Sequence, residues 1–103
     1  MTAPETCPDH HLVIHYCRQC NWMLRASWMA QELLHTFDDS LAQVSLAPGT
    51  GGVFIITLNG EVLWDRRENG GFPQAAELKR RVRDRIAPNR ALGHVDDTPQ
   101  AQR

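Results

Sequence analysis

The apolar residues of this chain follow two different periods along the sequence. Residues 11–16, HLVIHY, are a short β-prone apolar run that ends directly at Cys17 and predicts a buried strand. Between Asn21 and Phe37 the apolar residues lie within one arc of about 140° at 100° per residue, which predicts an amphipathic helix of about four turns. The residues in this arc are Trp22, Met23, Ala26, Met29, Ala30, Leu33, Leu34 and Phe37.

A second strand is predicted after this helix. Asp38, Asp39 and Ser40 break the helical pattern, and residues 41–47, LAQVSLA, then alternate as a strand with one apolar face does. Residues 48–52, PGTGG, are rich in turn-forming residues and therefore predict a connector. The apolar face of the strand carries Ala42, Val44 and Leu46.

A hairpin is predicted next. Residues 53–58, VFIITL, have the continuous β-branched and aromatic content that is typical of a central strand. Residues 61–66, EVLWDR, are also strand-like. Asn59-Gly60 stands between the two runs and favours a type I′ turn, because both central residues of that turn need positive φ.

The last third of the chain predicts a loop, a helix and a tail. Residues 67–73, RENGGFP, are predicted to be a loop, and Pro73 is placed to open a second helix. Pro88 ends this helix, and residues 88–103 have too few apolar residues to fold, which predicts a mobile tail. The apolar residues at helical spacing are Ala75, Leu78, Val82 and Ile86.

The predicted order is strand, helix, strand, strand, strand, helix. The first three elements form a β-α-β unit with parallel strands and a right-handed crossover, and the hairpin adds an antiparallel pair. We therefore predict an α/β protein, an α+β sandwich with a four-stranded mixed sheet in the layout of a minimal thioredoxin-like fold. One domain should span residues 11–87, between a flexible arm at 1–10 and the tail at 88–103.

Composition limits where the protein acts and what it binds. Its longest apolar run, residues 53–56, is far too short to span a bilayer, and the amino terminus is polar and acidic where a secretory signal is basic and then apolar. We therefore expect a cytoplasmic protein with no membrane partner. The net charge of −1 gives no reason to bind nucleic acid, and the basic residues of ELKRRVRDR point to several sides of a helix.

The candidate chemistry lies in Cys17-Arg18-Gln19-Cys20. Cys17 ends a strand, and Cys20 lies at or just inside the start of a helix, where unpaired N–H groups and the helix dipole stabilise a thiolate. Lowering a cysteine pKa from about 8.5 to about 7, with help from Arg18, raises the thiolate fraction at pH 7 from about 3% to half. We predict that Cys17 and Cys20 are catalytic, as a couple in which one sulfur attacks and the other resolves the mixed disulfide.

Two other interpretations of this pair remain open. The thiols could serve redox sensing or partner recognition without turnover. They could also bind zinc, because Cys7, His10, Cys17 and Cys20 make up a Cys₃His set. A strand over residues 11–16 would separate the two half-sites by about 20 Å, which counts against a tetrahedral zinc, so we predict no metal. Cys7 is then expected to be a free surface thiol.

Two large apolar side chains fall outside the apolar arc of the first helix. Leu24 and Trp28 lie one turn apart on its far side, with Gln31 and His35, so both are expected to be exposed. A loop or the tail could cover them. Our hypothesis is that Leu24 and Trp28 contribute to a homodimer or another partner contact.

Two longer segments, IHYCRQC and GTGGVFIITLNGEVLWDRRENGGFP, resemble the selenoprotein W-like family, also named the Rdx family, as a member with cysteine in place of selenocysteine. The resemblance runs from about His11 to Ile86. It implies a thioredoxin-like fold and a thiol-dependent redox role, that of a thiol oxidoreductase. The substrate would be a thiol or disulfide protein or a glutathione-type thiol. No cofactor fingerprint is present, so we expect the dithiol to be the only redox centre.

The resemblance leaves the attacking sulfur open. Selenium-containing members place selenocysteine at the position of Cys20, whereas thioredoxins attack with the first cysteine, which corresponds to Cys17. Thioredoxins also place a cis-proline before the strand that faces the thiols, and Gly52 stands there in this chain. Because Gly51 and Gly52 lack side chains, their backbone could approach the dithiol or a docked substrate, the alternative being a plain tight turn.

Overall fold

Seven elements make up residues 10–92, the part of the chain that the computed structural model describes. All six elements predicted from the sequence are present, and one short helix is additional. No helix in this range is both long and apolar enough to cross a membrane. The strands are β1 (His10–Cys17), β2 (Leu41–Gly49), β3 (Phe54–Leu58) and β4 (Glu61–Asp65), and the helices are α1 (Met23–Thr36), α2 (Arg66–Asn69) and α3 (Ala75–Ile86).

The four strands form one mixed sheet in the order β2-β1-β3-β4. β1 and β2 run parallel, as a β-α-β unit requires, whereas β3 is antiparallel to both β1 and β4. β3 is therefore a central strand, as its continuous apolar sequence predicts. This topology confirms the predicted mixed α+β, thioredoxin-like fold.

The hydrophobic core lies between one face of the sheet and the helices α1 and α3. Alternate residues of β1 and β3 point into it, because side chains along a strand alternate between faces. On the opposite face, side chains such as His15 and Ile55 are half-buried. The fully buried side chains of the core include Leu12, Ile14, Ala26, Met29, Leu33, Phe37, Phe54, Ile56, Leu78 and Val82.

Asn59 and Gly60 form the predicted hairpin turn, with φ of 52° and 87°. The Asn59 side chain also accepts a hydrogen bond from the His11 N–H at 2.9 Å, and the Asn59 N–H donates to the His11 carbonyl at 2.8 Å. The same turn therefore closes the β3–β4 hairpin and ties the start of β1 to the end of β3.

β2 is an edge strand, and the side of α1 above it is only partly covered. Leu46 of β2 is 37% exposed, and Met23 and Leu34 of α1 are 47% and 39% exposed. The sequence pattern places all three on buried apolar faces, and this prediction is wrong. The reason is that residues 10–92 contain no further element beyond β2 to cover them.

Residues 66–69 form the short helix α2, where the sequence predicts a strand end and a loop. The Asp65 carboxylate caps this helix by accepting a hydrogen bond from the Arg67 N–H at 3.0 Å. Gly70 ends it with φ of 81°. Hydrophobic periodicity misses α2 because four polar residues contain no apolar repeat.

The basic residues of α3 are paired with carboxylates, and Lys79 departs from the solvated helix surface that its charged neighbours predict, because it is buried. The helix begins at Ala75, so Pro73 lies before it rather than in its first turn. Lys79 is buried, and its Nζ contacts Glu32 Oε1 at 2.9 Å, which joins α3 to α1. The arginines of α3 contact Glu61, Glu77 and Asp84.

Residues 88–92 belong to the packed domain rather than to the predicted mobile tail. Leu92 is 4% exposed and joins the core. Arg90 donates a hydrogen bond to the Thr36 carbonyl at 2.9 Å. Composition misses this attachment, because one leucine and one arginine anchor a segment that is otherwise polar. The remainder of the predicted tail, residues 93–103, and the predicted arm at residues 1–9 lie outside the described residues.

Candidate thiol site

The two thiols lie in and beside a turn between β1 and α1. Cys17 is the last residue of β1, and Cys20 lies in the turn that follows. The Trp22 N–H closes this turn by donating to the Cys17 carbonyl at 3.4 Å. Because α1 begins only at Met23, Cys20 stands before the helix, and the helix dipole acts on its sulfur from farther away than the sequence predicts.

Both cysteines are free thiols, and burial distinguishes them. Cys17 is 1% exposed. Cys20 is half-buried. A substrate that approaches from solvent therefore reaches the Cys20 sulfur before the Cys17 sulfur.

The connector between β2 and β3 packs beside the thiols. Cys17 lies opposite Gly49 in the parallel ladder, and the Arg18 N–H donates to the Gly49 carbonyl at 3.0 Å. The residues after Gly49 are thereby brought against the thiol pair, and the Gly52 N–H interacts with both sulfurs. Gly52 has φ of 78°, and a Cβ at this position would stand 3.4 Å from Arg66 Nη2. That distance is an ordinary contact with a flexible side chain, so glycine suits this position on conformational grounds, through its positive φ.

The two thiols perturb each other in opposite directions. The pKa of Cys17 is lowered, mainly by hydrogen bonding with the Cys20 side chain, and the N–H groups of Gly52, Cys20 and Gln19 act in the same direction against the effect of burial. The pKa of Cys20 is raised, first by that same hydrogen bond, then by burial and by the charge of Cys17. The pair therefore loses its first proton at a lower pH than an isolated thiol does and holds its second proton more tightly.

Arg66 and Arg67 of α2 hold the connector in place. Arg66 donates through Nε and Nη2 to the Gly52 carbonyl at 3.3 and 3.1 Å, and Arg67 donates to the Gly51 carbonyl. The charge of Arg66 also lowers the pKa of Cys20, against the larger effects that raise it. Arg66 therefore both positions the backbone beside the thiols and stabilises a thiolate there.

Three aromatic rings border the thiol turn. Trp22, Phe54 and Phe72 meet edge to face, with ring centroids between 4.8 and 6.3 Å apart. The Arg25 guanidinium lies 4.1 Å from the Phe72 centroid, and the Arg66 guanidinium lies 5.1 Å from the Trp22 centroid. The surface beside the thiols is therefore apolar and carries positive charge.

One family match covers the thiol turn, the connector and the loop that carries Phe72. The profile of the Rdx family matches residues 11–84. The chain belongs to the Rdx family. This Rdx protein is also similar to a solved structure from Bordetella parapertussis, at 60% identity and a TM-score of 0.74, over 75% of this chain and 98% of that chain. A selenoprotein W-related protein from Vibrio cholerae is 55% identical, with a TM-score of 0.74, over 76% of this chain and 98% of its own.

The curated relatives of this Rdx protein are less similar. Migration and invasion enhancer 1 of Mus musculus is 27% identical over 73 residues, which cover 71% of this chain and 62% of the mouse protein. The Bos taurus protein of the same name is 28% identical over 81 residues, which cover 77% of this chain and 69% of its own. The chain thus spans less than two thirds of the mouse protein. The family match confirms the selenoprotein W-like resemblance and a generally redox-associated class of protein.

Most of the residues predicted for the site of this Rdx protein lie together. Cys17, Cys20 and Gly52 are neighbours, and Gly51 precedes Gly52 in the same connector. Arg18 is exposed in the thiol turn itself. A role for Arg18 and Gly51 in the reaction stays a prediction.

Arg66 is the site residue that sequence reasoning missed. It lies far from the thiols along the chain and directly follows β4, in a segment predicted to end a strand. The available signal was Asp65, a residue type that favours the N-cap of a helix. That signal indicates α2, but only the packing of α2 against the connector brings Arg66 to Gly52.

The three described members of the Cys₃His set, His10, Cys17 and Cys20, do not all lie together. Within residues 10–92, no group of three or more His, Cys, Asp or Glu side chains is arranged to hold a metal ion. His10 and Cys17 stand at opposite ends of the eight-residue strand β1, about 23 Å apart at 3.3 Å per residue, so they cannot share one ion. Cys7, the fourth member of the proposed set, lies outside the described residues.

Replacing Cys20 with alanine should raise the pKa of Cys17, because this removes the hydrogen bond that stabilises the Cys17 thiolate. Replacing Cys17 with alanine should lower the pKa of Cys20, because the hydrogen bond with Cys17 and, to a lesser extent, the charge of Cys17 no longer raise it. Ultraviolet absorbance of the thiolate, titrated against pH in each single variant, measures both values. The Cys20→Ser variant keeps an O–H donor and is the matched control, because the pKa of Cys17 should rise less in it than in Cys20→Ala. An unchanged Cys17 pKa in Cys20→Ala would show that the two thiols do not interact.

Proposed function

We propose that this Rdx protein is a thiol–disulfide oxidoreductase that cycles Cys17 and Cys20 between a dithiol and an intramolecular disulfide. The observation that supports this most directly is that two free thiols, at the end of β1 and in the turn that follows, lie within hydrogen-bonding contact, where each perturbs the pKa of the other. Sulfurs that exchange a hydrogen bond are near enough for one to attack a bond formed by the other.

The proposed reduction of a substrate disulfide has two steps. The Cys20 thiolate attacks one substrate sulfur, the substrate S–S bond breaks, and the other substrate sulfur leaves as a thiolate. The Cys17 thiolate then attacks the Cys20 sulfur of the mixed disulfide and releases the second substrate thiolate. Two electrons pass from the dithiol to the substrate, and the two protons of the dithiol go to the released thiolates. A cellular thiol reductant restores the dithiol by the reverse exchange.

Exposure supports Cys20 as the sulfur that meets the substrate, because Cys17 is buried. The lowered pKa of Cys17 is compatible with this order. The hydrogen-bonded proton can pass from Cys20 to Cys17, which leaves the thiolate on the exposed sulfur. The Gly52 N–H and the Arg66 charge then stabilise that thiolate.

The proposed substrates are thiol or disulfide proteins or glutathione-type thiols. The rings of Trp22 and Phe72 offer apolar contact area beside the thiols, and Arg25 and Arg66 lie over these rings. Arg18 adds a further exposed cation within the turn. Carboxylates of a peptide substrate would pair with these guanidinium groups. A cytoplasmic location, with its reducing thiol pool, would supply the electrons for the cycle.

Trapping of the mixed disulfide tests the proposal. Incubated with oxidised glutathione, the Cys17→Ser variant should accumulate one glutathione on Cys20, because the resolving thiol is missing. With Cys7 replaced by serine in both variants, the Cys20→Ser protein should react more slowly, by roughly tenfold or more, because the remaining sulfur, that of Cys17, is buried. Intact-mass and peptide mass spectrometry measure both. Faster labelling of Cys17 would reverse the assigned order of attack.

Turnover separates an oxidoreductase from a sensor that uses the same thiols. With a thiol reductant in excess, the wild-type protein should reduce many equivalents of a disulfide substrate, and both single variants should lose this activity. A single stoichiometric oxidation without turnover would support the sensing or partner-binding role instead.

A further inference from the structure

β2 leaves one whole edge of the sheet unpaired within residues 10–92. The strand is nine residues long, Leu41–Gly49, and it is the last strand in the sheet order. An exposed edge presents a row of N–H and C=O groups that another strand can pair with, and natural edge strands are usually short or charged to prevent this. β2 is long and carries no Asp, Glu, Lys or Arg, and its one proline, Pro48, lies near the end. The strand therefore lacks the usual protection.

The side of α1 above this edge is apolar and exposed as well. Glu32 of α1 contacts Lys79 of α3, which fixes the side of α1 that faces α3. Met23 and Leu34 lie about 160–180° around the helix from Glu32 at 100° per residue, so they face away from α3 and toward the β2 edge. They are 47% and 39% exposed, and Leu46 on the same face of β2 is 37% exposed. The unpaired backbone edge of β2 and the exposed side chains of Met23, Leu34 and Leu46 therefore lie on the same side of the molecule.

We propose that this chain forms a homodimer in which β2 pairs antiparallel with β2 of a second copy, so that two four-stranded sheets become one sheet of eight strands. A two-fold axis perpendicular to the sheet at Ser45, the middle residue of β2, keeps the helices of both copies on the same face. Val44 then lies opposite Leu46 of the second copy, and the reverse contact follows by symmetry.

Helix spacing supports a second copy as the occupant of this edge. α1 packs over β1 and β2. If the α1 helix axis lies midway between these two strands, it is displaced by about 2.4 Å from β2 toward β1. Paired β2 strands about 4.8 Å apart would then place the two α1 helices about 10 Å apart, which is a normal distance for packed helices. The sides of the two α1 helices that carry Met23 and Leu34 would then meet across the two-fold axis of the dimer. A single peptide strand on the edge would leave these side chains exposed.

Charge favours the antiparallel direction. Asp38 precedes β2 and is exposed, and the neighbouring Asp39 is already paired with Arg90 at 3.1 Å, whereas Arg18 is hydrogen-bonded through its N–H to Gly49 at the other end of the strand. Antiparallel pairing brings the acidic end of one β2 beside the Arg18 end of the other, and parallel pairing would place like charges together. The uncharged strand between them adds no repulsion at the axis.

The dimer would leave the two thiol sites independent. Cys17 lies opposite Gly49, which is four residues from Ser45. The two Gly49 positions would therefore stand about 26 Å apart at 3.3 Å per residue, at opposite ends of the paired strands. The inference does not rest on the proposed redox function, and either can fail without the other.

The mass of the full chain in solution tests the dimer. Sedimentation or light scattering at micromolar concentration should give twice the chain mass of 11.7 kDa. Leu46→Lys should halve the mass, because it puts a charge beside the axis at a position exposed enough to tolerate lysine in the monomer. Leu34→Lys should do the same from the helix side. Circular dichroism verifies that both variants are folded.

Two control variants make the test specific to the β2 edge. Val62→Lys changes a side chain that is 54% exposed on β4, at the opposite edge of the sheet, and should stay dimeric. The double variant Leu24→Ser/Trp28→Ser changes the outward side of α1, which the sequence predicts as a contact, and should also stay dimeric. A monomeric wild type, or dimers of both lysine variants at the β2 edge, would overturn the proposal. Dissociation of either control variant would overturn it too.

Discussion

Replacing either Cys17 or Cys20 with serine should abolish disulfide formation within the pair. In glutathione redox buffers the wild-type protein is expected to lose two alkylatable thiols together and reversibly, and neither variant should show this paired loss. The physical reason is that the proposed disulfide needs both sulfurs, and the structure places them within hydrogen-bonding contact. Each single variant retains one thiol of the pair, which can form only mixed disulfides with glutathione. At each buffer potential the sample is treated with an alkylating reagent, and the intact mass then gives the number of thiols that were still reduced.

Cys7→Ser is the matched control for this titration, and it should leave the transition unchanged. Cys7 stands three residues before His10, a reach of at most about 11 Å, whereas β1 separates His10 from Cys17 by about 23 Å. The Cys7 sulfur therefore cannot join Cys17 within one chain. If the wild-type protein keeps both thiols of the pair reduced across the whole range of cellular glutathione potentials, the proposed cycle is wrong.

Phe37→Ala should lower the free energy of unfolding by about 3–5 kcal/mol, the usual loss for truncating a buried phenylalanine. Phe37 is 0% exposed and sits at the end of α1, where its N–H donates to the Leu33 carbonyl at 2.9 Å. The Arg90 guanidinium lies 5.3 Å from its ring centroid, so the ring also anchors the segment that follows α3. Alanine would leave a cavity between α1 and the sheet and remove this anchor.

Urea denaturation followed by circular dichroism measures this loss. Leu24→Ala is the control, because Leu24 is on the same helix and 75% exposed, and its effect should stay within about 0.5 kcal/mol. If Phe37→Ala does not fold, Phe37→Leu should fold and lose less stability, because it retains most of the buried volume. Equal stability of Phe37→Ala and Leu24→Ala would contradict the placement of this ring in the core.

Local signals made most of the secondary structure predictable. Asn59-Gly60 determines its hairpin through two residues that adopt positive φ, and the apolar arc of α1 predicts the buried positions Ala26, Met29 and Leu33 correctly. These predictions hold because each depends on residues within a few positions of one another. The strand before the thiols, the parallel β1–β2 pair and the antiparallel β3–β4 pair were predicted from the same patterns, whereas the β1–β3 pairing that completes the strand order came from the structure.

Predictions that depended on how much other elements cover a surface were less reliable. Met23 and Leu34 belong to the apolar arc of α1, yet they are exposed because the sheet ends at β2. Leu92 lies in a polar segment, yet it is buried. Periodicity reports which side chains share a face, and it does not report how far the neighbouring layer extends.

At the thiol site, the sequence by itself determined the chemistry that is available: Cys17 and Cys20, separated by two residues, after a strand and before a helix. The order of elements also predicted the connector that packs against them. Whether the Gly52 backbone approaches the sulfurs was one of two alternatives that the sequence left open, and only the tertiary structure decided it and added Arg66. The Gly52 amide and the Arg66 guanidinium come from distant parts of the chain, and they reach the thiols because β1 pairs with β2 and α2 packs on the connector. Electrostatic effects on a pKa fall off with distance in space, and separation along the chain does not give that distance.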